Sequence, residues 1–223
     1  MNPIMNPLRR KIVASLASLP LALAAGRTLA QGITAGTEYL LVSPQVLTES
    51  ATKVEVIEFF SYACPHCYSF EPMIEPWIKS LPADVLFHRV PVVYHEPWLA
   101  PARLYYALEV LGEAGRLSPV VFDAMHKEHR DLTSEDAIAK FLESQGIPQK
   151  KFSEAYRSFS VETKMKRGTD LQAAYKIDQV PEIGVDGRYV TASSMVGGSH
   201  ASVLPVVDQL IAMARKEHKL PKP

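Results

Sequence analysis

The chain has 223 residues and a balanced charge, with 24 basic and 24 acidic side chains. Proteins that bind nucleic acid normally present a basic face, so this composition gives no support for that class of function. After the first 30 residues no apolar segment approaches the length that spans a membrane, so we expect the rest of the chain to be soluble.

The first 30 residues have the three-part layout of a secretory signal peptide. Basic residues at positions 9–11 precede an apolar run from Ile12 to Ala25, and cleavage is plausible after Ala30. A retained membrane anchor is the alternative, but two serines and a proline interrupt a run that is already short for a span. Cleavage removes four basic residues and leaves 20 basic against 24 acidic side chains. The remaining length, about 190 residues, suits one domain or one domain with an insertion.

Two strands are predicted before the chain reaches its two cysteines. Residues 39–42 suit a short first strand, and Val54–Phe60 is typical of a buried strand because it is rich in β-branched and aromatic residues. The pattern after Cys64 is helical, and Pro65 suits the first helical position. We therefore predict that Cys64 lies at a helix N-terminus, where unpaired amides and the helix dipole favour its thiolate.

The C-P-H-C motif of residues 64–67 predicts a redox-active pair of cysteines. Export would place the pair in an oxidising compartment, where a lone close pair suits a working redox couple. A structural zinc site is an alternative, but it needs four ligands, and only His126 and His129, three apart in a predicted helix, resemble a further pair. A purely structural disulfide is less favoured, because so short a loop removes little chain entropy from the unfolded state.

The segment after the motif is predicted to be a helix followed by a strand. Two prolines fall within the helix, and we expect a kink near Pro72 and the end of the regular part near Pro76. Residues 85–93 are typical of a strand, which Pro91 limits near its end.

Helical periodicity extends from residue 98 to about residue 175, and the strand pattern then returns over residues 180–190. Asp186-Gly187 predicts a hairpin turn that needs positive φ. A final helix is expected to begin with Ser202 as its N-cap. The order of these elements predicts an α/β protein with a thioredoxin-like sheet that is interrupted by a helical subdomain.

The run from Glu58 to Glu71, E-F-F-S-Y-A-C-P-H-C-Y-S-F-E, resembles the active-site segment of the DsbA family of periplasmic thiol oxidases. Val180-Pro181 and the strand-turn-strand that follows resemble the family's cis-proline region. The resemblance implies a thioredoxin-like fold and a cis Val180–Pro181 bond beside Cys64. It also implies a strongly acidic cysteine and a stabilised reduced form.

Helix geometry assigns roles to the two cysteines, and the resemblance implies those of Glu58, Val180 and Pro181. Cys64 is expected to be the exposed sulfur that a substrate thiolate attacks, and Cys67, one helical turn further in, the sulfur that leaves. The candidate catalytic set is completed by Pro65, by His66 as a donor of hydrogen bonds or positive charge, and by Glu58, a buried carboxyl that assists proton movement. A glutamate that reaches solvent at a strand end is the alternative for Glu58. Candidate substrate-binding residues are Val180 and Pro181.

The expected partners are unfolded exported proteins with free cysteines, and a DsbB-type membrane oxidase for reoxidation, which the resemblance implies. We find no cofactor motif and no metal site, and we expect a periplasmic monomer. The predicted division is a signal peptide at 1–30, a thioredoxin-like domain at 31–96 and 176–223, and an inserted helical subdomain at 97–175.

Two other functions remain open. A disulfide isomerase or reductase would use the same chemistry, and a periplasmic metal-binding thiol module would need His66 or a distant histidine as a further ligand. One residue departs from the family pattern, since Glu182 is acidic where a small or neutral side chain is more usual after the cis-proline. We expect it to alter substrate preference or to oppose thiolate formation slightly.

Overall fold

A five-stranded mixed sheet lies at the centre of residues 32–218, the part of the chain that the computed structural model describes. The signal-peptide prediction falls outside these residues. The strands are β1 (Leu40–Leu41), β2 (Val54–Phe60), β3 (Val85–Pro91), β4 (Glu182–Val185) and β5 (Tyr189–Ala192). Their order across the sheet is β1-β5-β4-β2-β3, with β2 and β3 parallel and the other neighbours antiparallel.

Seven α-helices accompany the sheet in the described residues. They are α1 (Pro65–Ser80), α2 (Leu99–Leu111), α3 (Ala114–His126), α4 (Glu135–Ser144), α5 (Gln149–Tyr156), α6 (Phe159–Tyr175) and α7 (His200–His218). The helices α2 to α6 lie in sequence between β3 and β4, so the prediction of a sheet interrupted by helices is confirmed. No helix in this part of the chain combines the length and hydropathy needed to cross a bilayer.

Strand β2 is buried along its whole length because both faces of the sheet are covered. Side chains of α1 and α7 cover one face, and side chains of α6 cover the other. A third apolar cluster fills the helical region and extends to Cys64 and Cys67, so the cysteines pack where the helical region meets the sheet.

The Asp186-Gly187 turn joins β4 to β5 with positive φ at both residues, 57° and 67°, as the hairpin prediction required. Two helix predictions are wrong. Helix α1 continues through Pro76 to Ser80, because its prolines lie on the exposed side while Phe70 and Ile74 hold the buried side. Ser202 is not the N-cap of α7, which begins at His200; instead the Ser202 N–H donates to the Ser199 carbonyl at 3.1 Å.

Candidate active site

Cys64 is the N-cap residue of α1 and Pro65 is the first residue of that helix, as the sequence predicted. The extended backbone of Cys64 turns the end of β2 into the helix, so its sulfur lies beside the first free amides. Cys67 has no solvent exposure, and Cys64 is only 6% exposed. Cys64 is therefore the more accessible of the two cysteines, as predicted, but the prediction that its sulfur is exposed is wrong, because Cys64 is buried.

The Cys64 sulfur is covered by the loop that precedes β4. Its Sγ lies 3.5 Å from the Val180 carbonyl oxygen, close enough for the thiol to donate to it. The Val180–Pro181 peptide bond is cis, as predicted, and Ser43–Pro44 is a second cis bond that the sequence did not suggest. The two segments that resemble the family are thus in contact.

The pKa values of the two cysteines are shifted in opposite directions. A hydrogen bond from the Cys67 side chain is the main influence that lowers the pKa of Cys64 to about 6. Burial opposes it, while the amides of His66 and Cys67 and the charge of His66 assist it. Burial, followed by the hydrogen bond and charge of Cys64, raises the pKa of Cys67 well above its usual value. The sequence predicted the amides and His66, but the contribution of the second thiol was missed.

Glu58 belongs to a buried ion-pair network centred on Arg89, which we call the Arg89 cluster. The Arg89 Nε donates to Glu58 Oε2 at 2.6 Å. The Nη2 of Arg89 lies 2.7 Å from Glu71 Oε1, and its Nη1 lies 3.2 Å from Glu75 Oε1. Glu58 has no solvent exposure, so the alternative of a glutamate that reaches solvent is wrong. Arg89 and Glu71 were not predicted. The sequence did contain a signal for them, namely charged residues at buried positions, because Glu71 lies on the buried face of α1 and Arg89 lies on the buried part of β3.

The Arg89 cluster contains three carboxyl groups and one guanidinium, so its charges do not balance. Burial raises the pKa of Glu58 despite the nearby Arg89, and it raises the pKa of Glu71 to about 8. One oxygen of each, Oε1 of Glu58 and Oε2 of Glu71, is buried and makes no hydrogen bond among the described residues. The charge of Glu58 also helps to raise the pKa of Cys67. The cluster and the inner thiol are therefore electrostatically linked.

The histidines occupy different settings. His66 is exposed, and its ring centroid lies 6.2 Å from that of His200 at the start of α7. His126 places Nε2 2.8 Å from the Tyr62 carbonyl and stacks on the Tyr68 ring. His129 lies beyond the end of α3 with a φ of 54°, so the predicted helical pairing of His126 with His129 is wrong.

Glu182 begins β4 directly after the cis-proline, and it is buried. Burial raises the pKa of Glu182 to about 7. Burial is the main influence that raises the pKa of Tyr94, and the charges of Glu182, Asp178 and both cysteines assist it. The charge of Glu182 therefore acts on Tyr94, a residue on which the charges of Cys64 and Cys67 also act.

The sheet, the inserted helices and a Cys-x-x-Cys at a helix start beside a cis-proline define a thioredoxin-like thiol:disulfide oxidoreductase. Residues 55–202 match the family model described as a DSBA-like thioredoxin domain. The chain is 38% identical over 206 residues to "Thiol:disulfide interchange protein DsbA" of Bordetella parapertussis, covering 92% of this chain and 97% of that protein. This chain belongs to the DsbA-like thioredoxin family.

Solved structures agree with the sequence comparison. The crystal structure of Pseudomonas aeruginosa DsbA matches with a TM-score of 0.80 and 37% identity, covering 84% of this chain and 97% of that one. Reduced DsbA1 from Neisseria meningitidis matches with a TM-score of 0.75 and 28% identity, covering 85% and 98%. The predicted fold and family are thereby confirmed.

Proposed function

We propose that this chain oxidises pairs of cysteine thiols in exported proteins by donating its own Cys64–Cys67 disulfide. A substrate thiolate attacks Cys64 Sγ and forms a mixed disulfide, while the Cys64–Cys67 bond breaks and its electron pair leaves on Cys67. A second substrate thiolate then attacks the substrate sulfur of the mixed disulfide and releases Cys64 as a thiolate. The substrate loses two electrons and two protons; the enzyme disulfide gains both electrons, Cys67 takes one proton and the other passes to solvent, since Cys64 is released as a thiolate.

The main support for this direction is the low pKa of Cys64, about 6, at the start of α1. A thiol of low pKa is a good leaving group in the second exchange, so the step that releases the oxidised substrate is favoured. The same environment stabilises the reduced enzyme, which makes its disulfide a stronger oxidant.

The remaining site residues act on protons and on substrate position in this proposal. Cys67 has a raised pKa, so it takes a proton when it leaves, and Glu58 with the Arg89 cluster is the nearby group that exchanges one. His66 stabilises the Cys64 thiolate by its charge, and Pro65 starts the helix that supplies the amides. Val180 and Pro181 present a backbone edge on which a substrate segment pairs.

The proposed setting is the periplasm, reached by cleavage of residues 1–30, with the protein acting as a monomer. Unfolded exported proteins with free cysteines are the substrates, and a DsbB-type membrane oxidase restores the disulfide. Residues 31–96 and 176–223 form the thioredoxin-like part, and residues 97–175 form the inserted helical subdomain.

The redox potential of the Cys64–Cys67 pair tests the proposed direction. We expect a value more positive than about −180 mV when the pair is equilibrated with glutathione, because a stabilised thiolate makes the disulfide oxidising. A value near −270 mV, typical of a thioredoxin reductant, would contradict the oxidase function. A value between these, together with faster repair of a scrambled disulfide substrate than oxidation of a reduced one, would favour an isomerase.

Stability of the reduced form should rise with pH relative to the oxidised form. Cys64 has a folded-state pKa of about 6 against an unfolded value of ~8.5, so the reduced protein gains stability that is complete above ~8.5 and is lost as the pH falls through 6. At pH 7 this difference in pKa corresponds to about 1.4 kcal/mol. The actual gain is smaller, because Pro65 and His66 beside the sulfur are exposed and solvent screens the charge. Denaturant midpoints at pH 5, 7 and 8 measure it.

The oxidised form is the matched control for this experiment, because it has no thiol to ionise. The difference in the free energy of unfolding, reduced minus oxidised, should therefore increase from pH 5 to pH 8. A difference that stays constant or falls over this range would show that the pKa of Cys64 is not lowered.

A further inference from the structure

Three side chains of metal-ligand type lie together on the side of the sheet that faces away from the Arg89 cluster. They are Glu49 in the segment before β2, Glu55 on β2 and His88 on β3. A carboxylate oxygen of each glutamate and a ring nitrogen of His88 lie within 4.8 Å of one another. Since side chains alternate along a strand, Glu55 and His88 point to the face covered by α6, and the cluster is separate from the cysteines.

Both carboxylates are oriented through one oxygen. The Glu49 N–H donates to Glu55 Oε1 at 3.0 Å, and Glu55 is only 1% exposed. A terminal nitrogen of Arg167 on α6 lies 2.7 Å from Glu49 Oε1. Each carboxylate is thus held by a donor on one of its oxygens. Carboxylates that ligate metals in proteins are held by outer hydrogen bonds in the same way.

His88 provides an independent observation that points to a ligand. Both of its ring nitrogens are shielded from solvent, and neither makes a hydrogen bond within the described residues. Leaving a buried polar group without a partner is costly, and such groups are rare in folded proteins.

A cavity of about 230 Å³ is lined by Glu49 and His88, among other residues. Three basic residues line this cavity, and each is paired with a carboxylate. Arg167 is paired with Glu49, Lys164 lies 3.2 Å from Glu109, and Arg89 is held by Glu58 and Glu71. The walls are therefore nearly neutral. The carboxylate of Glu55 remains without a basic partner within salt-bridge distance in this part of the structure, which suits the approach of a cation.

We propose that Glu49, Glu55 and His88 form a binding site for Zn²⁺. One imidazole nitrogen and two carboxylate oxygens are ligands that Zn²⁺ accepts, and a fourth position towards the cavity is open to water. The bound ion would fasten the segment before β2 to the two parallel strands. The site is independent of the thiol chemistry and of the proposed function.

The test uses the full oxidised protein, so that Cys64 and Cys67 offer no thiolate. Titration calorimetry with zinc chloride at pH 7 should show one ion per chain, and the thermal midpoint should rise as zinc is added. His88→Gln and Glu55→Gln should each weaken zinc binding at least 10-fold. Glu109→Gln changes another carboxyl of the same cavity and is the matched control, which should bind as the unmodified chain does.

Competing binding at surface histidines is tested with His66→Ala, which removes one ring of the His66–His200 pair. Loss of zinc binding in His66→Ala and its retention in His88→Gln would overturn the proposal, and so would the absence of binding by the oxidised protein. Circular dichroism without zinc checks the fold of each variant. If Glu55→Gln does not fold, Glu49→Gln replaces an exposed ligand and should show the same loss.

Discussion

Replacing Arg89 with methionine is expected to lower the free energy of unfolding by about 3–5 kcal/mol at pH 8, the cost of removing one partner from a buried ion pair. Arg89 is only 7% exposed and is the cation that faces Glu58 and Glu71 in the Arg89 cluster. Without it, both carboxyls must either lose their charge or remain ionised without compensation in an apolar interior. Methionine fills much of the same volume, so the loss reports mainly on charge.

The loss of unfolding free energy in the Arg89→Met variant should depend on pH in a defined direction. Burial already raises the pKa values of Glu58 and Glu71, and loss of Arg89 raises them further. A carboxyl whose folded-state pKa is raised binds its proton more tightly when folded, so stability falls as the pH rises above the unfolded value of ~4.3. The deficit should therefore be smallest near pH 5 and largest near pH 8, in urea denaturation at both values.

Arg215→Met is the matched control for this prediction. Arg215 also makes two hydrogen bonds to a carboxylate, Asp84, at 2.6 and 2.8 Å, but both side chains are partly exposed. We expect its loss to cost about 1 kcal/mol or less. The prediction fails if Arg89→Met is no less stable than Arg215→Met, or if its loss of unfolding free energy does not change with pH. Either result would show that Glu58 and Glu71 do not depend on Arg89 to compensate their buried charge.

The parts of the site that the sequence predicted are those fixed by neighbouring residues. Strand β2 is apolar throughout, Pro65 starts a helix, and Asp186-Gly187 turns a hairpin, so each could be derived from local rules. The contact between Cys64 and Val180 joins residues 116 positions apart. It was expected only because both segments resemble one family.

The predictions that failed, and the features that were missed, depend on packing between distant elements. Arg89 reaches Glu58 because parallel pairing sets the two residues side by side, and no local pattern shows that pairing. Helix α1 passes through Pro76 because its opposite side is held in the core, which overrides the local preference of proline. His88 and Glu55 meet only when β2 and β3 pair, so the candidate zinc site could not be predicted either.

Cys67→Ser, mixed with substrate proteins that carry a disulfide, is expected to accumulate mixed disulfides, because its Cys64 thiolate attacks the substrate disulfide and the second substrate sulfur leaves. Cys64→Ser should lose substrate oxidation by at least about 1,000-fold, since the reacting atom itself is removed. With a pKa of about 6, Cys64 is roughly nine-tenths thiolate at pH 7, and it keeps some exposure. Cys67 is fully buried and its pKa is raised, so it is neither reachable nor ionised. Peptide mapping of the trapped complexes measures the outcome.

The serine at position 67 cannot attack Cys64 Sγ as a thiolate and expel the substrate sulfur, so a mixed disulfide at Cys64 loses its internal route of escape and persists. The double variant with serine at both positions is the control for non-specific cross-linking and should trap nothing. Trapped complexes linked mainly through Cys67 in Cys64→Ser would reverse the assignment. Such a result would require the start of α1 to open, because Cys67 lies beneath Cys64 with its whole surface covered. Opening of that kind would expose Glu58 as well, so it should appear as faster hydrogen exchange at the end of β2.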